Sequence, residues 1–226
     1  MPSRTPSLVT FDAFGTLVRM DPPAPVLAGL LADAGYAVDD RVVEAALQQE
    51  IGHYRAHMHM GADAAGLAAL RAQCGAVLAR ALGPGGPGPE EATETLVHSL
   101  HFHLYDDALP ALDALADRGT RVAVVSNWDC ALPHHLERLG VADRFVVIAA
   151  SAAVGAAKPD PAIFLHAVRA AGVQPGDAVH VGDRRAEDLD GARAAGLRAL
   201  LLDREGHGGG PEVIRSLAEV PGRTAA

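Results

Sequence analysis

Leu8-Val9-Thr10-Phe11-Asp12-Ala13-Phe14-Gly15-Thr16-Leu17 is an apolar run that delivers a carboxylate and breaks at a Gly-Thr turn. The pattern predicts a buried strand over 8–12 followed by a loop. Downstream, 18–103 offers no comparable strand, only helical patterning. Val26, Leu27, Leu30 and Leu31 recur at helical spacing within 25–36. Asp39 or Asp40 caps a helix reaching about residue 60, and 62–82 is a further helix rich in Ala and Leu. GPGGPGPEE (83–91) breaks that run, and a fourth helix is expected over 90–103. From 109 the style changes. Helices are expected over 109–118, 132–139, 161–171, 186–195 and 211–218, and strands over 121–126, 145–149, 178–181 and 198–202. This alternation means βα units on a parallel sheet with both faces covered. The expected fold is α/β: a core from 1–17 plus 104–226, interrupted by an all-helical insertion over 18–103.

In an open α/β sheet, ligands sit beyond the carboxyl ends of the strands. The first strand ends in Asp12, with Thr16 in the loop behind it; the second ends in Ser126-Asn127. The third is followed by Lys158-Pro159-Asp160-Pro161, and the fourth ends in Gly182-Asp183, with Glu187 and Asp188 close behind. Each residue type has a task if the substrate is a phosphate ester. A carboxylate can attack as a nucleophile. Clustered carboxylates repel one another and call for a hard cation, and oxygen-only ligands point to Mg²⁺. Hydroxyls hold phosphoryl oxygens, and an ammonium neutralises the charge that spreads over them. Taken singly, each of these is ordinary turn or helix-start chemistry. Their order along successive strand ends carries the functional reading.

Composition narrows the class. The chain has 226 residues, 49% hydrophobic and 21% charged, which is globular and ample for a sizeable core. A net charge of −9 argues against general nucleic-acid binding. No apolar run reaches the ~18 residues of a membrane helix, and Asp12 arrives before a signal-peptide apolar region forms. Two distant cysteines, Cys74 and Cys130, give neither a zinc signature nor a disulfide framework. A cytoplasmic location is therefore expected, with a small molecule as partner. Lys158 is the single lysine among 19 basic residues. An ammonium is a compact point charge and a guanidinium a broad fork, so the exception invites a specific role. His53, His57 and His59, and His98, His101 and His103, form two groups without a zinc-protease pattern. They are expected to line the insertion, where one of them is a candidate to touch substrate.

FDAFGTL (11–17), VVSN (124–127), KPDP (158–161) and VGDRRAED (181–188), in this order, resemble the four motifs of the haloacid dehalogenase superfamily. The resemblance is to members with a helical cap inserted after the first strand. It covers nearly the whole chain, strongly in the core and weakly in the cap. It implies a Rossmann-like core, a covalent aspartyl intermediate and a mobile cap that sets the substrate. On that resemblance Asp12 is the nucleophile and Lys158 steadies the transferring group, which Thr16, Ser126 and Asn127 hold. Asp183 and Asp188 hold Mg²⁺ together with Asp12 and the Phe14 backbone carbonyl.

One departure matters. Phosphatases of the family usually carry a second Asp two residues after the nucleophile, as general acid for the leaving alcohol. Phe14 stands there in this chain, and general acid catalysis is typically worth ~10²–10⁴ in rate. The family's dehalogenases also lack that acid, since a halide leaves without a proton. They also tend to carry Ser and Asn where this chain has Gly182-Asp183, and they need no metal. The acid pair therefore favours Mg²⁺-dependent hydrolysis of a small phosphate ester. A dehalogenase, or a catalytically weak binding protein, is the alternative. Phosphonatases need a cap lysine, and 18–103 contains none.

Overall fold

The computed structural model describes residues 6–224. In chain order the elements begin with β1 (Leu8–Phe11), β2 (Val18–Met20), α1 (Pro23–Asp33), α2 (Asp40–His57), α3 (Ala64–Leu82), α4 (Pro89–Ser99) and β3 (Phe102–Leu104). There follow α5 (Ala108–Ala116), β4 (Arg121–Ser126), α6 (Leu132–Arg138), β5 (Phe145–Ala150), α7 (Ser151–Val154), α8 (Pro161–Ala170) and β6 (Ala178–Gly182). The chain closes with α9 (Gly191–Ala194), β7 (Arg198–Leu202), β8 (Val213–Ile214) and α10 (Val220–Thr224). It divides into two compact units: the chain up to Arg19 with everything from His103, and Met20–Phe102. No helix among the described residues is long and apolar enough to cross a membrane.

The first unit is a six-stranded sheet in the order β5-β4-β1-β6-β7-β8, parallel throughout. This is the parallel α/β sheet expected from the alternation, and the Rossmann-like core that the resemblance implies. All four residues of β1 are buried because it lies between β4 and β6 with helices on both faces. Leu8, Ala123 and Val125 pack against Ile163, Phe164 and Val168 of α8. Fully burying side chains such as Phe11 and Phe164 stabilises by about 1.5–3 kcal/mol each. Register then places the chemistry. Phe11 pairs with Val124 on one side and Val181 on the other, so Asp12, Ser126 and Asp183 leave the sheet at one edge.

The second unit is helical. α2 and α3 are capped by the Asp39 and Asp63 side chains, and Leu27, Leu31, Val43, Leu47, Leu70, Leu78 and Leu96 form its core.

Three expectations are corrected. The fourth helix of the insertion stops at Ser99, and Phe102–Leu104 instead pairs with Val18–Met20 in a two-stranded ribbon. Strands this short carry no readable period; only their pairing defines them. The stretch 211–218 is not a helix. Val213 and Ile214 pair with Leu201 and Leu202, where β-branched side chains suit a pleated, buried edge. A Ser216–Glu219 capping box then starts a short helical turn. Finally, the helix expected over 186–195 opens as a π-type turn, Arg185–Asp190, before α9.

Candidate functional site

Asp12 follows β1 directly, its N–H held by the Val181 carbonyl at 2.9 Å. The carboxylate is buried. Its Oδ1 accepts from Ser126 Oγ at 2.8 Å and from Lys158 Nζ at 2.6 Å. Lys158 Nζ also donates to Asp188 Oδ1 at 2.5 Å. One ammonium, 1% exposed, thus lies between two carboxylates. Burial works against its charge, but Asp12 and Asp188 outweigh that and hold Lys158 above the usual lysine range. Burial also raises Asp12, which Lys158 only partly offsets. For Asp188 the balance reverses: despite burial, Lys158 and His180 keep its carboxyl well below the usual range.

Asp183 completes the group. One ligand oxygen each from Asp12, Asp183 and Asp188 lies within 4.8 Å of the others. Loss of water around the Asp183 carboxyl, then the charges of Asp12 and Asp188, pushes it up to about 6. Gly15 lets the loop approach this close. Its φ is +92°, and a Cβ there would meet the Asp183 carboxylate at 2.5–3.0 Å. Thr16 is fully buried, and its hydroxyl donates toward Asp183 Oδ1 at 3.5 Å. The Ala13 carbonyl takes the N–H groups of Thr16, Leu17 and Val18, whereas the Phe14 carbonyl accepts none of the loop's backbone bonds.

Two of the expected site residues also carry bonds within the rim itself. Asn127 Oδ1 accepts from the Lys158 N–H at 2.7 Å, and its Nδ2 donates to the Lys158 carbonyl at 3.0 Å and to Glu187 at 3.3 Å. Its amide is thus spent on holding the lysine segment. Asp188 has Oδ1 on Lys158 and His180 and Oδ2 on the Arg184 N–H at 2.9 Å. Asp12 Oδ1 is taken by Ser126 and Lys158, and Asp183 Oδ1 by the Thr16 hydroxyl, which leaves Asp12 Oδ2 and Asp183 Oδ2 to face a further ligand.

His180 was not singled out by the sequence reading. It lies wholly buried in β6. Its Nε2 bonds Asp188 Oδ1 at 3.1 Å, and since a carboxylate only accepts, Nε2 carries the proton. Nδ1 takes the Thr10 hydroxyl at 2.8 Å. Burial pushes the imidazole below its usual range, so it stays neutral. The available signal was a His inside a buried strand, AVHVG, where a polar side chain needs a partner. Phe14 stands 43% exposed on the loop, its ring edge-on to Trp128 with centroids 6.3 Å apart. The His53 and His57 rings stack at 4.1 Å. Among the described residues, the only converging group of three or more metal-ligating side chains is the acidic one.

The donor set suits a hard divalent ion. Asp12, Asp183 and Asp188 face one ammonium beside a neutral histidine, which leaves two negative charges unbalanced. All the donors are oxygens, as Mg²⁺ prefers.

Residues 6–196 match the model of a family described as haloacid dehalogenase-like hydrolase. Over 206 residues the chain is 32% identical to haloacid dehalogenase-like hydrolase domain-containing protein 3 of Mus musculus, covering 86% of this chain and 81% of that protein. Among solved structures it is similar to an HAD phosphatase from Thermococcus onnurineus, with 27% identity, a TM-score of 0.65 and 95% of both chains covered. It is equally similar to a 2-haloacid dehalogenase from Pseudomonas syringae pv. Tomato DC3000, with 28% identity, a TM-score of 0.67 and 97% and 98% covered. With likenesses this close, the backbone does not choose between the chemistries those two names carry; the side chains must.

Proposed function

The chain belongs to the haloacid dehalogenase-like hydrolases, and on that footing we propose that it removes the phosphoryl group from a small phosphate ester. The observation that carries this reading is the charge balance of the rim. Two unbalanced negative charges would repel a phosphate dianion or a haloacid carboxylate alike, and a divalent cation restores neutrality. Asp12, Asp183 and the Phe14 carbonyl are the groups assigned to hold Mg²⁺. Asp188 adds its charge while engaging Lys158. When bound, the ion supplies positive charge opposite the phosphoryl oxygens.

Asp12 Oδ2 attacks phosphorus, the phosphorus–oxygen bond to the alcohol breaks with its electron pair, and the leaving oxygen takes its proton from water. Water then attacks the aspartyl phosphate, releasing phosphate and regenerating Asp12. Ser126 and Lys158 hold Asp12 Oδ1, which fixes the direction of Oδ2. Lys158 also offers positive charge to the transferring group, and Asn127 keeps its backbone in place. Thr16 steadies Asp183. With Phe14 in place of an acid, leaving groups of low basicity are preferred, so aryl phosphates should outrun alkyl phosphates.

Phe14 is also the observation that favours dehalogenation, because its ring forms an apolar wall with Trp128 where a proton donor is unnecessary. A panel of phosphate esters beside a panel of 2-haloacids, each with Mg²⁺ and with EDTA, separates the two. Phosphate release abolished by EDTA is the expected result. Halide release indifferent to EDTA would replace the phosphatase reading with the dehalogenase one.

A further inference from the structure

We infer that Arg204 is a positioning residue for the nucleophile loop, clasping the two segments by which the chain leaves the sheet unit and returns to it. The inference rests on the function proposed above.

Arg204 lies just past the carboxyl end of β7, on the rim that carries Asp12 and Asp183. Its Nη1 donates to Asp107 Oδ2 at 2.8 Å, and its Nη2 to Asp107 Oδ1 at 3.0 Å. Nη2 also donates to the Thr16 carbonyl at 2.9 Å. The guanidinium carbon lies 3.8 Å from the centre of the Tyr105 ring. Thr16 belongs to the departing segment, and Tyr105 and Asp107 to the returning one. The two are further tied by the Tyr105 N–H, which donates to the Leu17 carbonyl at 3.0 Å. Asp107 is fixed in turn by Ser216 Oγ at 2.7 Å and the Leu217 N–H at 2.9 Å.

The connection to chemistry runs through Thr16. Its carbonyl is held by Arg204, and its hydroxyl faces Asp183. The loop between Asp12 and Thr16 also carries the Phe14 carbonyl and the close approach of Gly15 to Asp183. Releasing the Thr16 carbonyl therefore loosens the loop that sets Asp12 against Asp183. Arg204 Nε is the one buried side-chain nitrogen or oxygen among the described residues with no partner. The guanidinium keeps its other contacts at the expense of that donor. A lysine offers one compact ammonium and cannot bond a carboxylate and a carbonyl in its plane while stacking its face on an aromatic ring.

The test uses the full chain with Arg204→Gln and Arg204→Lys. Arg144→Gln, which removes the Arg144–Asp113 pair in the same unit, serves as control. Amide hydrogen exchange over 13–18 and at Tyr105, kcat and KM on an aryl phosphate, and Tm are measured together. Both Arg204 variants should exchange these amides about tenfold faster or more. They should lose about tenfold or more in kcat, with KM within about threefold. Lys should recover most of the Tm but not the kcat, and Arg144→Gln should leave exchange and kcat unchanged. Unchanged loop exchange overturns the inference, as does a lowered Tm with wild-type kcat, which makes Arg204 a stability residue only. Should Arg204→Gln fail to fold, Tyr105→Leu removes the stacking face alone and is read the same way. A wild type that releases no phosphate sinks the proposed function instead, and loop exchange then decides the clasp by itself.

Discussion

In the proposed function Asp12 is the nucleophile. Asp12→Asn keeps shape and removes the attacking charge, so turnover should fall below about one per cent while the fold persists. Activity above a few per cent in a phosphate-release assay excludes a covalent aspartyl step. If Asp183 holds the cation as proposed, it sets the pH dependence of metal binding, because a proton competes for the same carboxylate, which is pushed up to about 6. Apparent Mg²⁺ affinity should therefore level off above pH 6 and fall toward about tenfold per unit below it. Calorimetric titration from pH 5 to 8 reads this directly, and a flat profile removes Asp183 from the ion's ligands. The slot at Lys158 suits an ammonium and not a guanidinium. The slot between Asp12 and Asp188 leaves the ammonium 1% exposed, and the larger guanidinium of Lys158→Arg overfills it. The cost should be about 1–3 kcal/mol in chemical denaturation, together with loss of turnover. Asp12, Lys158 and Asp183 were legible because each follows a strand end or a turn. For His180 the sequence shows only a polar side chain inside a buried strand; which partner it finds, Asp188, depends on the π-type turn.

Among the elements, those with long local periods were readable and those made by pairing were not. β1, β4, β5, β6 and β7 announced themselves as apolar runs bounded by turn residues, α2 by its capping aspartate and α3 by its richness in Ala and Leu, whereas the Asp63 cap of α3 came only with the structure. β8 is two residues long and exists because Val213 and Ile214 found Leu201 and Leu202. β2 and β3 exist only as each other's partner. The packing of α3 on α4 makes a prediction against local propensity. Gly75 lies in the middle of α3, where Ala is preferred by ~1 kcal/mol. A Cβ there would stand 2.8 Å from the Pro89 carbonyl and from Thr93 Cα, and would overlap Thr93 Oγ1. The clash wins, so Gly75→Ala should destabilise by about 1–3 kcal/mol in urea unfolding. A stabilised variant would mean the helices separate easily.

At the scale of the whole molecule, the insertion leaves and returns through adjacent strands. The pairing of β2 with β3 brings its ends together, so Met20–Phe102 can be replaced by a short turn without stretching the sheet unit, which has its own core. The shortened chain should unfold cooperatively in circular dichroism and still release phosphate slowly from aryl phosphates, with its preference among substrates lost. Preference retained after excision would rule out a role for the helical unit in selectivity. Residue patterns alone were enough for the α/β class and for the order of chemical groups along the strand ends. Hydrophobic period, turn residues and strand-end placement are all local properties. Tertiary structure alone decided how those groups act on one another: Lys158 shared between two acids, Asn127 spent on the lysine segment, and Arg204 joined to Thr16 across 188 positions of chain. Such contacts depend on register and on the packing of distant segments, and no local pattern of residues records them.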